Sequence, residues 1–451
     1  MQFFKIEWMH FGFLLYVCNG KDKNTMIQEI KIKNFLSFKD EVRFSFEASN
    51  DKFAEDSQVV KINENTRLLR FAIVYGYNAS GKSNLLKAFE FLSDFWFAKR
   101  DDIDENTGNI PFKLDQVTPN EHTSFELVFY VDDTKYNYQL ELDRNIVYYE
   151  KLSYYETTQP KTLFERTLEN NQSVISFKNV KVSSAVKDAI LVKCLNNMSF
   201  FAARNQVNTS IPLIDNVKDW MKKNVMHSIT PSTDLTQYAQ RKTSKDDALV
   251  NYILTFLHEA DFNITDLKTK EEEKPIPEEI LDILLRIDDL PATEKERMKA
   301  DKSVKRLLTN FDHTVENERG KETYQFSADY DEESRGTLRT FGLEAALYNA
   351  MKKHAFLAID EIEMSLHPRL QEMILFEYLR SQSRSQIIVT THNDGLMDLV
   401  DDLIRKDSIW FTEKNKAGVT DLYKLTDFRG VNRLSSIREA YRNKRFGATM
   451  R

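Results

Sequence analysis

Alternating apolar and polar residues in the first third of the chain predict antiparallel strands. Residues 27–46 alternate on both sides of a polar turn at Lys39-Asp40, which indicates two paired strands. Three more alternating runs follow, each separated from the next by a short polar turn. They span residues 125–131, 136–142 and 147–155. We therefore expect a β-meander within a mixed lobe, rich in antiparallel sheet, that extends to about residue 205.

The pattern changes between residues 206 and 320, where apolar residues recur at helical spacing. Leu249, Ile253 and Leu257 lie four positions apart, as on the buried face of an amphipathic helix. Charged runs such as 270–274 surround these stripes. We expect a helical insertion over 206–320, between two halves of one larger domain. Ordinary helix packing and partner binding explain the stripes about equally well, and without a sustained heptad no long coiled coil is expected.

An apolar strand at Phe71–Val74 leads into a glycine-rich loop and then into a helix with apolar periodicity. The loop has the spacing Gly-x4-Gly-Lys-Ser, in which the glycines let successive backbone N–H groups face one anion. The lysine can reach the β- and γ-phosphates of a nucleotide, and the serine hydroxyl can bind Mg²⁺. A chance glycine turn is the alternative, but the strand and the helix are the context that this motif requires. The candidate nucleotide contacts are Gly76, Asn78, Gly81, Lys82, Ser83 and Asn84.

A second apolar strand, Phe356–Ile359, ends in two carboxylates. Asp360 is placed to hold Mg²⁺ directly or through water, and Glu361 to orient or activate the water that attacks a γ-phosphate. Four apolar residues followed by Asp-Glu are a weak signal alone. In a chain that already carries a phosphate-binding loop, they indicate a site that hydrolyses ATP.

Polar residues at two further element ends are also candidates for this site. The strand Gln386–Thr391 ends at His392. Ligands bind at the carboxyl ends of strands in open α/β sheets, so His392 can sense a γ-phosphate. Upstream, Ser334, Gly336 and Thr337 stand at the start of a predicted helix. They are either a plain N-cap or an anion-binding signature that completes the site of a second subunit.

Composition narrows the class of protein. The chain has 451 residues, of which 41% are hydrophobic and 29% charged, as is typical of a soluble globular protein with one large domain or two. The net charge of −7 means that any contact with nucleic acid must come from a local patch. Two cysteines, Cys18 and Cys194, make neither a disulfide framework nor a zinc site, which suits a reducing cytoplasm.

The first 25 residues differ from the rest of the chain. The apolar run Trp8–Cys18 is too short to cross a bilayer and lacks a small-residue cleavage site. A clean alternating strand begins at Met26. We expect residues 1–25 to be an upstream extension of a protein that works from Met26 onward and has no membrane span.

Taken together, the motifs resemble those of the ABC/SMC-type ATPases. The resemblance rests on residues 76–83, 334–337, 360–361 with the following 363–368, and 390–393. Within that group the chain is most similar to single-chain prokaryotic ATPases related to the OLD proteins and to RloA- or AriA-like components of anti-phage and abortive-infection systems. Its opening segment 30–38 and its ending 445–448 are also similar to that group.

The resemblance implies an α/β fold, namely an ABC/SMC-like P-loop ATPase head with a mixed sheet and an antiparallel β subdomain. The lobes at 26–205 and 321–451 would flank the helical insertion. ATP and Mg²⁺ would lie between two heads of a homodimer or a higher even oligomer. In such an assembly each site takes residues from both chains. The chain that holds the nucleotide supplies the cis residues, which are Lys82, Ser83, Asp360, Glu361 and His392. The facing chain supplies the trans residues, which are Ser334, Gly336 and Thr337. Gln116 is the candidate for the glutamine that the group places between its two halves.

Two departures from the family pattern shape the expected function. The signature reads Ser-Arg-Gly-Thr rather than the Ser-Gly-Gly-Gln of transporters, and only about sixty residues follow His392, too few for the nuclease domain of OLD proteins. We expect a cytoplasmic ATPase that acts as sensor or regulator in an anti-phage system and controls a separate effector, a nuclease or a toxin. One alternative is an SMC-like repair ATPase that clamps DNA, supported by the basic tail at 429–445. The other is a nucleotide-gated scaffold with little turnover.

Overall fold

The computed structural model describes residues 24–260, 262–285, 292–316 and 323–449. The predicted extension at 1–25 therefore lies, apart from its last two residues, outside the described residues. The strands, in chain order, are β1 (Met26–Lys33), β2 (Val42–Ser45), β3 (Val59–Lys61), β4 (Arg67–Leu69), β5 (Phe71–Tyr75), β6 (Thr123–Val131), β7 (Thr134–Leu142), β8 (Val147–Tyr155), β9 (Pro160–Glu169), β10 (Gln172–Phe177), β11 (Ile264–Pro275), β12 (Ser303–Glu316), β13 (Thr323–Asp329), β14 (Phe356–Ile359), β15 (Gln386–Thr391), β16 (Ile409–Lys414) and β17 (Thr420–Lys424). The α-helices are α1 (Glu55–Gln58), α2 (Lys82–Phe95), α3 (Ser184–Lys193), α4 (Phe200–Arg204), α5 (Pro212–Asn224), α6 (Thr236–Thr243), α7 (Asp247–Glu259), α8 (Glu278–Leu285), α9 (Ala292–Asp301), α10 (Arg335–Lys353), α11 (Pro368–Arg380) and α12 (Ile437–Arg442).

The chain divides into two compact units. Of the described residues, the first unit contains those up to Pro231, Ala350–Met364 and those from Leu375 onward, and the second contains Ser232–Asn349 and Ser365–Ile374. Both units are thus built from segments that are distant in sequence. The domain boundaries expected from the sequence, with an insertion at 206–320, stay a prediction.

A five-stranded sheet with the order β14-β15-β5-β16-β17 carries the candidate site of the first unit. The first four strands run parallel, and β17 pairs antiparallel with β16 at the edge. Strands β5, β14 and β15 are buried along their whole length, which explains why β5 and β14 are wholly apolar and β15 has an apolar centre at 387–389. Thr391 of β15 pairs with Tyr75 of β5, so these strands end level and the residues after them share one edge of the sheet.

The first unit also contains a seven-stranded antiparallel sheet with the order β10-β9-β8-β7-β6-β1-β2. The predicted meander is confirmed by the hairpins β6–β7 and β7–β8. Asp132 and Asp133 have φ angles of 51° and 66°, as the tight two-residue turn between β6 and β7 requires. Strands β9 and β10 extend this sheet beyond the predicted meander. The expected α/β fold class with an antiparallel subdomain is therefore confirmed.

Aromatic side chains hold α2 between these two sheets. Phe89 of α2 lies 6.1 Å from Phe44 of β2 and 4.8 Å from Phe356 of β14, measured between ring centroids. Phe44 in turn lies 4.9 Å from Trp410 of β16. All four side chains are buried. Burial of a phenylalanine contributes about 1.5–3 kcal/mol, so the helix that follows the glycine-rich loop is firmly anchored.

The second unit contains a three-stranded antiparallel sheet, β11-β12-β13, together with helices. Its core is formed by apolar residues of α7, β12 and α10, among them Leu249, Ile253, Leu257, Phe311 and Phe341. The helical stripe predicted at 249–257 is therefore core. The insertion is not wholly helical, however, because the charged run 270–274 lies on the exposed half of β11. Charge on an edge strand opposes pairing with other chains, so a charged run is compatible with a strand at such a position.

Two smaller findings bear on the class of protein. Among the helices in the described ranges, none is both long and apolar enough to cross a membrane. Cys194 is buried, and burial raises the pKa of its thiol to about 11, so it packs as a small apolar side chain. Cys18 lies outside the described residues.

Candidate nucleotide site

Two glycines shape the loop between β5 and α2. A Cβ atom at Gly76 would lie 2.4 Å from Ser80 Oγ and 2.6 Å from Thr412 Oγ1. Gly81 has a φ of 112°, and a Cβ atom there would lie 2.4 Å from Thr420 Oγ1. Both positions therefore require glycine. A compact loop of this kind leaves its backbone open to close approach by an anion.

Hydroxyl groups from neighbouring strands hold this loop in place. Ser80 Oγ and Thr412 Oγ1 share a hydrogen bond of 2.7 Å. Thr420 Oγ1 lies 2.8 Å from both the Ser80 carbonyl oxygen and Ser37 Oγ. Asn84, one of the predicted contact residues, donates to Ser37 Oγ at 2.7 Å. Asn84 thus joins α2 to Ser37, and the two threonines brace the loop from β16 and β17.

Lys82 begins α2, and its side chain folds back over the loop. Its Nζ donates to the carbonyl oxygens of Gly76 at 2.8 Å and of Tyr77 at 3.3 Å. The residue is only 6% exposed, and burial lowers the pKa of its ammonium group. Three carboxylates oppose this lowering, and in decreasing order they are Glu363, Asp360 and Glu361. The lysine therefore lies in the field of the acids that follow β14.

The remaining predicted contacts of the loop face outward. Asn78 is exposed and Ser83 is half-buried, and neither side chain makes a hydrogen bond within the described residues. The backbone N–H groups at the start of α2 carry a partial positive charge. This end of the helix thus offers unpaired polar groups and a favourable field to a phosphate.

Thr390, near the end of β15, fixes both acids that follow β14. Its Oγ1 donates to Asp360 Oδ1 and accepts a hydrogen bond of 2.9 Å from the Glu361 N–H. Glu361 has a φ of 49°, in a region that residues other than glycine rarely adopt. Its carboxylate makes no hydrogen bond within the described residues. Thr390 lies in the motif at 390–393, but the sequence pattern gave its hydroxyl no role, although a polar residue inside a buried strand was a usable signal.

His392 follows β15 at the same edge of the sheet. Its ring is half-exposed, and Nδ1 lies 2.7 Å from Glu363 Oε1. The same carboxylate oxygen accepts a hydrogen bond of 2.9 Å from the His392 N–H. The strand pattern placed His392 at this edge, but it gave no role to Glu363.

The donor atoms at this edge fit Mg²⁺, which prefers oxygen ligands and commonly binds one or two carboxylates together with phosphate oxygens. Asp360 has a second carboxylate oxygen, Oδ2, without a hydrogen bond in the described chain, and the Ser83 hydroxyl is also unpaired there. The described part of the chain has no group of three histidine, cysteine, aspartate or glutamate side chains that could hold a metal by itself. Asp360 and Ser83 would therefore hold the ion together with the phosphates of a nucleotide.

The predicted signature residues lie in the second unit, at the start of α10. Ser334 Oγ accepts a hydrogen bond of 3.1 Å from the Thr337 N–H and lies 2.9 Å from Thr337 Oγ1, which is N-cap geometry. A Cβ atom at Gly336 would lie 3.3 Å from the Ser365 carbonyl oxygen. The N-cap interpretation is thus supported, and a role in the site of a second subunit stays a prediction. Gln116 is exposed in a loop of the first unit.

Two arginines of the basic tail are ion-paired. Arg438 and Arg442 both bond to Asp394, with nitrogen to oxygen distances of 3.0 Å between Arg438 Nη2 and Oδ1 and 2.5 Å between Arg442 Nε and Oδ2. Arg438 also pairs with Asp398. The hydrogen bond from Arg442 has the largest effect on the pKa of Asp394 and lowers it; burial opposes this, and the weaker hydrogen bond from Arg438 lowers the pKa further. The tail helix α12 is thereby fastened to the segment that follows His392.

Comparisons with known proteins give one family and several solved structures that are similar to this chain. Residues 71–191 and 229–398, more than half of the chain, match a family described as "AAA domain, putative AbiEii toxin, Type IV TA system". Among solved structures, the chain is similar to the SMC head domain from Thermotoga maritima, with 14% identity, a TM-score of 0.40 and coverage of 88% of this chain and 98% of that one. It is also similar to the Smc head domain with an extended coiled coil, bound to the C-terminal domain of ScpA and derived from Pyrococcus furiosus, with 13% identity, a TM-score of 0.40 and coverage of 94% and 99%. No curated protein matches the chain.

Proposed function

The chain belongs to the AAA-domain family that it matches, and on that premise we propose that it is a Mg²⁺-dependent ATPase that regulates an anti-phage defence system. Binding and hydrolysis of ATP would control a separate effector, a nuclease or a toxin. The family description names an AbiEii toxin and a type IV toxin–antitoxin system, and this supports a place for the chain in a defence system. This chain would be the regulatory component.

The observation that carries the proposal is the meeting of three motifs at one edge of the five-stranded sheet. The glycine-rich loop follows β5, Asp360 follows β14, and His392 follows β15. These strands are adjacent and parallel in the order β14-β15-β5; β15 and β5 end level, and β14 ends two residues earlier. Groups suited to phosphate, metal and γ-phosphate therefore lie beside one another, where ligands bind in open α/β sheets.

The chemistry of hydrolysis follows from these positions. Lys82 and the N–H groups of the loop would neutralise the β- and γ-phosphates, and Ser83 with Asp360 would hold Mg²⁺, which supplies further charge neutralisation when bound. The free carboxylate of Glu361 would orient the attacking water and accept its proton. His392 would contact the γ-phosphate, and the products would be ADP and inorganic phosphate.

Assembly of two heads is the first part of the proposal to test. A γ-phosphate contacted from both chains would join them, and hydrolysis would remove those contacts. Purified Glu361→Gln should therefore retain ATP and shift, on addition of ATP and Mg²⁺, from one chain mass of 52.9 kDa toward two or a higher even number. An unchanged mass would show that nucleotide does not control assembly, and it would favour the scaffold alternative.

The defence role has its own test in cells. Cells that carry the native locus with wild-type protein should plate phage less efficiently than cells without it. Lys82→Ala should abolish this protection because it removes the phosphate-binding ammonium group. Lys87→Ala, which removes an exposed lysine from the same helix, is the matched control and should keep the protection. Equal plating with the wild-type protein and with Lys82→Ala would contradict the defence role.

The DNA-clamping alternative has less support than the composition of the tail suggested. Arg438 and Arg442 bond to Asp394, so part of the tail's positive charge is neutralised within the chain. Salt-sensitive DNA binding by the intact protein would be the evidence in its favour.

A further inference from the structure

Glu363 binds His392 twice through one carboxylate oxygen. Oε1 accepts a hydrogen bond of 2.9 Å from the His392 N–H and lies 2.7 Å from His392 Nδ1. The glutamate side chain is only 11% exposed, whereas the histidine side chain is 51% exposed. A nearly buried carboxylate thus contacts both the backbone N–H and the Nδ1 atom of His392, while about half of the histidine side chain is exposed to solvent.

We propose that Glu363 is a positioning residue of the nucleotide site, which holds the imidazole of His392 in one tautomer and one orientation. The inference rests on the proposed ATPase function and adds a residue to its site. A carboxylate at Nδ1 accepts a hydrogen bond from the N–H of that nitrogen, and this leaves Nε2 as the free nitrogen of the ring. His392 would then accept a hydrogen bond from the attacking water through the unprotonated Nε2, and it would donate one to a γ-phosphate from Nε2 when the ring carries both protons.

The two glutamates beside Asp360 have different tasks in this arrangement. Glu361 has its N–H bonded to Thr390 Oγ1, and its carboxylate is free of hydrogen bonds within the described residues. Glu361 has a left-handed backbone conformation, with a φ of 49°, and the turn at 362–365 that follows contains Glu363. The carboxylate of Glu361 is therefore available to water, whereas one carboxylate oxygen of Glu363 is hydrogen-bonded to His392.

The other carboxylate oxygen of Glu363 supports a place in the site. Oε2 is buried and has no hydrogen-bond partner within the described residues. Buried unpaired polar atoms are rare, and each calls for an explanation. Among the three carboxylates that act on Lys82, Glu363 has the largest effect in keeping its ammonium protonated against burial. Glu363 therefore acts both on the lysine and on the histidine that are proposed to contact the same phosphates.

A double-mutant cycle tests whether Glu363 acts through His392. The variants are Glu363→Gln, Glu363→Ala, His392→Ala and the double variants, with kcat and KM for Mg-ATP measured separately. We expect Glu363→Ala to lower kcat by about 10-fold with little change in KM, as is usual for residues that orient a ligand or catalytic group. In the His392→Ala background, the same substitution should change kcat less than about twofold. Equal losses in both backgrounds, or no loss in either, would overturn the inference.

Two controls keep this test clear. Glu363→Gln is isosteric and keeps an acceptor for the His392 N–H. It replaces Glu363→Ala in the double-mutant cycle if the alanine variant does not fold. Its kcat should lie between those of the wild type and Glu363→Ala. Glu372→Ala removes an exposed carboxylate of α11 and should leave kcat unchanged. A loss of activity in Glu372→Ala equal to that in Glu363→Ala would contradict a specific role.

A spectroscopic measurement separates this inference from the proposed ATPase function. In protein labelled with nitrogen-15 histidine at about pH 8, above the ordinary titration range of imidazole, NMR distinguishes the two ring tautomers. The signals missing from His392→Ala identify His392. We expect the proton on Nδ1 in the wild type and a shift toward Nε2 in Glu363→Ala. Identical ring signals in both proteins would overturn the inference even if ATP is hydrolysed, whereas a wild type with the expected tautomer and no ATPase activity would contradict only the proposed function.

Discussion

The ammonium group of Lys82 donates a hydrogen bond of 2.8 Å to the carbonyl oxygen of Gly76, across the loop that these two residues enclose. To bind a nucleotide, the lysine must exchange this carbonyl and that of Tyr77 for phosphate oxygens. Hydrogen bonds to charged groups are worth about 1.5–3 kcal/mol each, so Lys82→Ala should weaken ATP binding by about 100-fold. Titration with a fluorescent ATP analogue measures this. Lys87→Ala should bind like the wild type, and equal binding by both variants would contradict the assignment.

Thr390→Val should damage the candidate metal site. The substitution removes the hydroxyl that joins Asp360 and Glu361, and it leaves buried polar groups unpaired at a cost of about 1–3 kcal/mol in the free energy of unfolding. It should also raise the Mg²⁺ concentration for half-maximal ATPase activity, because Asp360 loses the partner that orients it.

Thr391→Val is the matched control for this prediction. Thr391 is equally buried, and its hydroxyl accepts a hydrogen bond of 3.0 Å from the Asn393 N–H rather than contacting Asp360. We expect a similar loss of stability with little change in Mg²⁺ dependence. If the two variants require the same Mg²⁺ concentration, Thr390 does not position Asp360.

The contact between Asp394 and the arginines of α12 should make stability depend on pH. Its folded-state pKa is lowered, so the contact contributes stability above the ordinary carboxylate range near about pH 4, and the contribution is lost as pH falls through the folded pKa. Asp394→Asn should therefore lower the free energy of unfolding by about 0.5–1 kcal/mol at neutral pH, the range for partly exposed pairs.

Thermal unfolding of the wild type and Asp394→Asn at several pH values tests this. The difference between the two proteins should shrink as pH falls below about 4. Asp402→Asn, at an exposed position a few residues along the chain, should match the wild type throughout. A difference for Asp394→Asn that stays constant with pH would contradict the ion-pair account.

The buried pair of Glu150 and Arg166 should matter more for stability than any surface pair. Both side chains are fully buried, and Glu150 also accepts hydrogen bonds from Tyr138 at 2.9 Å and from the Phe200 N–H at 2.8 Å. Arg166→Met leaves a buried carboxylate without its cation and should cost about 3–5 kcal/mol in urea unfolding. The double variant with Glu150→Gln should cost less.

Lys223→Met is the comparison for a surface pair. Lys223 bonds to Asp219 at 2.7 Å, with both side chains largely exposed, and its loss should change stability by less than about 1 kcal/mol. An Arg166→Met variant as stable as Lys223→Met would show that the buried pair is not important for the fold.

The sequence predicted the parts of the fold that have a strong local pattern. Uninterrupted apolar runs at 71–74, 356–359 and 387–389 lie in buried parallel strands, and alternation predicted the meander. The order of the parallel strands was not predictable, because it depends on which strands pair over hundreds of residues. The strand β11 was missed because its charged run is exposed and resembles a polar helix or loop.

The residues of the candidate site also divide into those that the sequence predicted and those that it did not. Residues inside motifs, such as Lys82, Asp360 and His392, were found because their spacing follows from the chemistry of phosphate binding. Thr390 and Glu363 lie inside motifs, but their roles were not assigned, and Thr412 was missed, because these residues act across strands and no spacing in the sequence records which side chains a sheet brings together.

Hydrolysis of bound ATP at this site is the central claim, and a single-turnover measurement tests it most directly. Wild type and Glu361→Gln are loaded with radiolabelled ATP without metal, Mg²⁺ is added, and the conversion of bound ATP to ADP is followed. The wild type should convert its ATP, whereas Glu361→Gln should be slower by about 100-fold because it lacks the carboxylate that accepts a proton from water. Equal rates in both proteins, or unchanged ATP in the wild type, would contradict the account.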